Sequence, residues 1–280
     1  MEQKSILITG CSSGIGRCLA DGLRQRGYRV FATARKSGDV AQLLADGFEA
    51  LPLDLDSSQS IRDAVETVLN RTQGKLYALI NNGAYGQPGA VEDLSRDTLR
   101  KQFETNLFGT QELTNHVIPA MRAQREGRII QLSSILGIIG LGYRGAYTAT
   151  KFALEALSDT MRLELHGTHI HISLIEPGPI TSRFRENAFA AYKANIDAEH
   201  SAHRDYYAQV EKRLGGSKPL PFTLPPEAVL EKVIHALESR RPKLRYPVTF
   251  PTHLFVVLRR LLPARLLDKI LRRVSGNGQR

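Results

Sequence analysis

Ser5-Ile6-Leu7-Ile8-Thr9-Gly10-Cys11-Ser12-Ser13-Gly14-Ile15-Gly16 is the stretch on which the fold turns. A short apolar run meets three glycines in seven residues, and a helical pattern follows to residue 26. Glycines at such a junction let the backbone turn tightly from strand into helix. Further apolar runs occupy 29–34, 50–52, 77–81, 128–132 and 169–176. Between them, 40–44, 58–72, 96–122 and 146–166 carry apolar residues at spacings of three and four. Near-continuous apolar strands alternating with amphipathic helices predict an α/β fold. The expected form is a single Rossmann-type domain, a doubly wound parallel sheet with helices on both faces.

After Pro177 the alternation loosens. A Pro-rich stretch, Lys218-Pro219-Leu220-Pro221 through Pro225-Pro226, precedes a helix at 227–238. The division expected is a main domain over 1–250, with a substrate lid at about 183–224, and a C-terminal helical extension over 251–280.

Composition narrows the function classes. The 280 residues are 42% hydrophobic, ample for a core, and the formal net charge is +10. That charge sits at one end: residues 240–280 hold 11 basic side chains and one acid, Asp268, whereas the rest is balanced. A neutral body argues against nucleic acid as the partner of the main domain. The two cysteines, Cys11 and Cys18, have no metal-ligand spacing and fit a reducing, cytoplasmic setting. Met1-Glu2-Gln3-Lys4 runs directly into the first strand, leaving no signal-peptide pattern. His166, His169 and His171 lack a carboxylate or thiol companion, so no metal site is expected.

A glycine loop between a first strand and a first helix lets pyrophosphate approach amides at the positive helix end. The spacing Gly-x3-Gly-x-Gly, preceded by Thr9, resembles the short-chain dehydrogenase/reductase family. The resemblance assigns cofactor contacts to Gly10, Ser12, Ser13, Gly14, Ile15 and Gly16. An NAD-binding fold places an acid at the end of the second strand to hold the ribose 2′-hydroxyl. Here Phe31-Ala32-Thr33-Ala34 leads into Arg35, with no acid before Asp39. A cation there pairs with a 2′-phosphate, so NADP is the expected cofactor. By resemblance, Asp54 contacts the adenine amino group and Asn82 and Gly83 pack over the cofactor ribose. Relatives carry Asn-Asn-Ala-Gly where this chain has Asn81-Asn82-Gly83-Ala84. Asn81 is expected to stabilise the strand end.

Tyr147-Thr148-Ala149-Thr150-Lys151 puts a phenol and an ammonium on one helix face, a turn apart. An ammonium beside a phenol favours the phenolate and lowers its pKa from about 10. Ser134, thirteen residues upstream, ends a strand. The family scheme implied is hydride transfer between nicotinamide and a carbonyl carbon. In it Tyr147 is general acid/base, Ser134 orients the oxygen, Lys151 tunes the phenol and bonds the ribose, and Asn106 completes a water relay. By resemblance Pro177, Gly178 and the main chain of Ile180 contact the nicotinamide end, with Thr181 and Ser182 both offering a hydroxyl. Tyr147, Lys151 and Ser134 all being present argues against the alternative of a non-catalytic NADP-binding redox sensor or scaffold.

The segment from Ile135 to Tyr143 is apolar and holds no cation for a substrate carboxylate, which favours a small apolar aldehyde, ketone or alcohol. Further similarity, including Glu176-Pro177-Gly178-Pro179-Ile180 and 243–249, is to a subgroup with hydroxysteroid and retinol dehydrogenases and, within it, to a bacterial NADP-dependent aldehyde reductase. Family analogy implies a homo-oligomer. After Pro263, Leu266, Leu267, Ile270, Leu271 and Val274 form a stripe flanked by Arg265, Lys269, Arg272 and Arg273. Such a basic amphipathic helix has three placements: on the body of the protein, over the substrate opening, or on an anionic membrane surface.

Overall fold

The computed structural model describes residues 3–214 and 220–275, with side chains at 213 and 214 left aside. Lys218 and Pro219 of the Pro-rich stretch, and the last five residues of the extension, lie outside these ranges.

Among the described residues seven strands form one parallel sheet in the order β3-β2-β1-β4-β5-β6-β7. They are β1 (Ser5–Ile8), β2 (Arg29–Ala34), β3 (Glu49–Pro52), β4 (Ala78–Asn81), β5 (Gly127–Leu132), β6 (Ile170–Glu176) and β7 (Arg245–Pro247). Side chains alternate across the sheet. Ile6 and Ile8 of β1 enter one core and Leu7 the other, which is why these three consecutive residues are apolar. The first core receives Leu19, Ala20 and Leu23 of α1 (Gly14–Gln25), Val40 and Leu43 of α2 (Ser37–Ala45), and Val229 and Val233 of α9 (Glu227–Glu238). The second receives Ile61 and Val65 of α3 (Ser58–Arg71), Leu113 and Val117 of α5 (Gly109–Gln124), and Met161 of α6 (Gly145–Glu164). This is the doubly wound sheet expected from the sequence. Its order reverses between β1 and β4, and that reversal opens a crevice at the strand C-termini.

Three elements differ from the sequence reading. The long helix expected over 96–122 is α4 (Arg96–Phe103), a π-helical turn (Glu104–Phe108) and then α5. The loop beyond 183 contains α7 (Phe184–Asn195) and α8 (Arg204–Leu214). Their aromatic residues Tyr192 and Tyr207 pack with Ala90, and Tyr143 stacks on Tyr206 with ring centroids 3.6 Å apart. The third is β7, which continues the sheet beyond β6 and was not anticipated.

β7 is fixed by charge. Arg245 reaches Asp159 at 2.6 Å, Glu155 at 3.1 Å and the fully buried Glu176 at 3.3 Å. Burial nonetheless pushes Glu176 up from 4.5 to about 8, with Glu155 adding repulsion and Arg245 opposing it. A carboxyl whose folded pKa lies above its unfolded value holds a proton that the unfolded chain has released. Its contribution to stability is fully present below about 4.5 and lost as pH rises through about 8. Denaturant unfolding across this window is expected to show a declining wild-type stability and a flatter profile for Glu176→Gln. An unchanged slope would remove Glu176 as the source.

Candidate active site

The glycine loop is held by a reciprocal set of bonds. The Thr9 hydroxyl accepts the backbone N–H groups of Asn82, at 2.9 Å, and Gly83, at 2.8 Å. The Asn82 amide donates back to the carbonyls of Thr9, at 2.9 Å, and Gly10, at 3.1 Å. Asn82 therefore secures the loop from the neighbouring strand. Gly16 is required by proximity, because a Cβ there would collide with the Gly10 carbonyl and lie 2.5 Å from Asn82 Nδ2. Gly14 has φ +56°, and a Cβ on it would lie 2.8 Å from Ser182 Cβ. Ser182 rather than exposed Thr181 thus faces the loop. Asn81 is buried and donates to Thr114 Oγ1 at 2.8 Å, the strand-end role expected of it.

The Gly83-Ala84 swap costs no special backbone here. Gly83 has no positive φ, and a methyl on it would lie 3.2 Å from both Thr9 Oγ1 and Leu55 Cδ1. Ser13 caps α1 without a side-chain bond, and no acid stands in the first turn of that helix. Amides of Gly14, Ile15 and Gly16 at this positive end suit an anion. Ser12 and Arg35 are exposed, and Arg35 influences Tyr85 electrostatically together with Asp56. Asp54 follows β3, its N–H donating to Ser60 Oγ and its carboxylate accepting from Asp56 N. Cys11 is buried, donates to the Ile8 carbonyl and is pushed up to about 12 by burial. It is a packed thiol, not a thiolate at a helix end.

Ser134, Tyr147, Lys151 and Asn106 converge beyond the ends of β4 and β5. Ser134 lies two residues past β5 and its hydroxyl accepts from Leu136 N at 3.1 Å. Its hydroxyl also acts on the phenol of Tyr147, in the first turn of α6, favouring the ionised form. Lys151 is buried and donates to the Leu132 carbonyl at 2.6 Å, with its Nζ 5.6 Å from the Tyr147 ring centroid. Desolvation lowers Lys151 from 10.5 to about 8 against the opposing charge of Glu155. Tyr147 moves opposite to the sequence expectation. Burial pushes it up to about 12, outweighing the opposing influence of the Ser134 hydroxyl and the Arg144 charge. The phenol is therefore a protonated donor at neutral pH.

Asn106 lies in the π-helical turn. Its Oδ1 accepts from Tyr85 N at 3.1 Å, and its Nδ2 donates to Tyr85 O at 2.8 Å and Thr150 Oγ1 at 3.4 Å. It clamps the chain after β4 to α6 at Thr150. From the far side, Pro177 accepts Ile135 N at 2.8 Å, Gly178 packs on Thr249, and Ile180 bridges to Leu224. Phe184, opening α7, meets the Tyr147 ring edge-on at 5.3 Å.

Glu155 was missed by motif reading. It lies four residues after Lys151 and eight after Tyr147, hence on the same helix face, and it is buried. Arg245 Nε donates to its Oε2 at 3.1 Å, and the Glu155 charge opposes the lowering of Lys151. The repeated spacing of four was the available signal; its burial was not readable.

The model of the family described as short chain dehydrogenase matches residues 4–215. The chain is 44% identical over 269 residues to "Uncharacterized oxidoreductase YbbO" of Escherichia coli K12, covering 96% of this chain and 94% of that one. It is 34% identical over 257 residues to human "Retinol dehydrogenase 8", covering 86% and 80%. A solved short-chain dehydrogenase from Streptomyces avermitilis superposes with a TM-score of 0.81 at 27% identity, covering 100% of both chains. Structures of this fold were solved with NADPH, NADP or NAD, so the fold alone does not choose among them. With its parallel sheet, glycine loop and Ser134–Tyr147–Lys151 cluster, this chain belongs to the short-chain dehydrogenase family of oxidoreductases.

Proposed function

We propose that the protein is an NADP-dependent reductase of apolar aldehydes or ketones, with the reverse alcohol oxidation available to the same site. The observation that carries this reading is the convergence of the Tyr147 phenol, the Ser134 hydroxyl that acts on it, and buried Lys151 with its Nζ 5.6 Å from the Tyr147 ring centroid. The glycine loop fits the cofactor because the N-terminus of α1 has no side-chain cap bond and no acid in its first turn, leaving its amides open to an anion. When bound, NADPH supplies the hydride.

The chain's own residues do the rest. The α1 amides bind the pyrophosphate, while Arg35 and Ser12, both exposed at the crevice, bind the 2′-phosphate. Asp54, Asn82, Gly83, Pro177, Gly178 and Ile180 frame the remainder. Ser134 and Tyr147 orient the substrate carbonyl oxygen, and Tyr147 delivers a proton to it. Lys151, held at the Leu132 carbonyl, sets the field around the phenol. Asn106 holds the chain after β4 in place through Tyr85. Substrate selection follows from Phe184 against Tyr147; Ile138 and Ile139, which the sequence placed at the substrate, are packed on Phe255 and the C-terminal helices. The retinoid named for one relative has a similar apolar character.

Nicotinamide absorbance during turnover of a panel of apolar aldehydes and ketones tests the reading. Tyr147→Phe is expected to lower kcat by about 10²-fold or more with cofactor affinity retained; near-normal turnover would refute the assignment. Arg35→Ala is expected to weaken NADPH selectively and leave NADH unaffected, as read by the ratio of the two kcat/KM values. The reduction rate should fall as pH rises through about 8, where Lys151 loses its proton. A rate constant well above pH 8 would separate Lys151 from the proton-dependent step.

A further inference from the structure

The helix α10 (Phe250–Leu261) is apolar on two opposite sides. One side is spent inward: Phe255 is buried with Ile138 and Ile139, and Val256 and Leu258 pack against them. Phe250, Leu254, Val257 and Leu261 recur at helical spacing along the other side. They remain 60%, 40%, 50% and 73% exposed, and Phe222, itself exposed, extends the strip by lying 5.3 Å from Phe250 between ring centroids.

The following helix, α11 (Ala264–Val274), is built differently. Leu267, Ile270 and Leu271 of its stripe pack on the same Ile138–Ile139–Phe255 cluster and dock the helix on the protein body, while Leu266 and Val274 of that stripe stay exposed. Arg265, Lys269, Arg272 and Arg273 are left exposed, and none forms a salt bridge among the described residues. Asp268 is the one acid between residues 250 and 275.

We propose that the outward side of α10, with the exposed cations of α11 beside it, docks the protein on an anionic lipid surface. An apolar strip flanked by cations matches acyl chains beneath acidic headgroups. The pairing separates lipid from the other occupants. A second copy would bring like-charged α11 helices together, which is unfavourable. A nucleic acid would use the cations but leave the strip of Phe250, Leu254, Val257 and Leu261 in water. No helix among the described residues is long and apolar enough to cross a membrane, so the contact is peripheral. Because α10 and α11 also pack on residues 135–141, docking would leave α10 between the lipid and the loop that follows Ser134.

Flotation of the full chain with phosphatidylcholine vesicles, with and without phosphatidylglycerol, tests the proposal. The wild type is expected to float with the anionic vesicles alone, and less so as salt is raised. Val257→Glu combined with Leu261→Glu should weaken this at least about tenfold. Arg265→Glu combined with Lys269→Glu should do likewise, at about fivefold or more per basic residue lost. Both pairs alter exposed positions, so far-UV circular dichroism and thermal unfolding should match the wild type. Four results would overturn the proposal: undiminished flotation of the Val257/Leu261 variant, equal binding to neutral vesicles, a halved light-scattering mass in that variant with no vesicle binding, or tight binding of single-stranded RNA in place of vesicles. The third would assign the strip to a second copy of the chain. None of these readouts depends on turnover, so the proposal stands or falls separately from the reductase reading.

Discussion

One hydroxyl group ties together the two turns at the point where the strand order of this sheet reverses. Thr9 Oγ1 receives two backbone N–H groups from the turn after β4, and Asn82 returns two bonds to the carbonyls after β1. These bonds lie where the strand order reverses, and backbone groups in that crevice would otherwise be left without partners. The close packing of Gly16 on Gly10 and Asn82 depends on the same arrangement. So does the path of residues 83–85, through which Asn106 reaches Tyr85.

A second constraint lies under α6. Lys151, Glu155 and Glu176 are all buried, and Arg245 reaches both glutamates from the edge of the sheet. Burying ionisable groups is costly unless they are paired or neutralised, and Glu176 holds its proton up to about pH 8. Through Arg245 the sheet edge and the buried face of α6 are one electrostatic unit. Arg245 also explains why a strand of three residues, one of them proline, is kept at all.

Much of this was legible beforehand. Continuous apolar runs identified β1 to β6, and the spacing of Gly10, Gly14 and Gly16 placed the loop between strand and helix. Tyr147, Lys151 and Ser134 were found from residue spacing and family pattern together. What escaped depended on partners distant in sequence. Arg245-Tyr246-Pro247 has no strand periodicity, and its place is set by Glu155, Asp159 and Glu176. The π-helical turn at Asn106 leaves no signature in apolar spacing, which reads straight through residues 96–122. The phenol's shift had the wrong sign in the sequence reading because spacing gives proximity to Lys151 but not burial. Lys151 spends its proton on Leu132 O. On the C-terminal helices, amphipathicity was visible, yet only the fold shows that α11 docks most of its stripe and α10 has one to spare.

The packing of Gly178 on Thr249 bears on modularity. Thr249 caps the start of α10, and Gly178 belongs to the Pro177–Ile180 turn after β6. With no room for a Cβ between them, the C-terminal helices enter the structure directly against that turn. The tail is therefore not an exchangeable cassette. A chimera joined at residue 250 would inherit a host-specific fit between Gly178, Thr249 and Thr252, and grafted tails would have to co-vary with the Pro177–Ile180 turn.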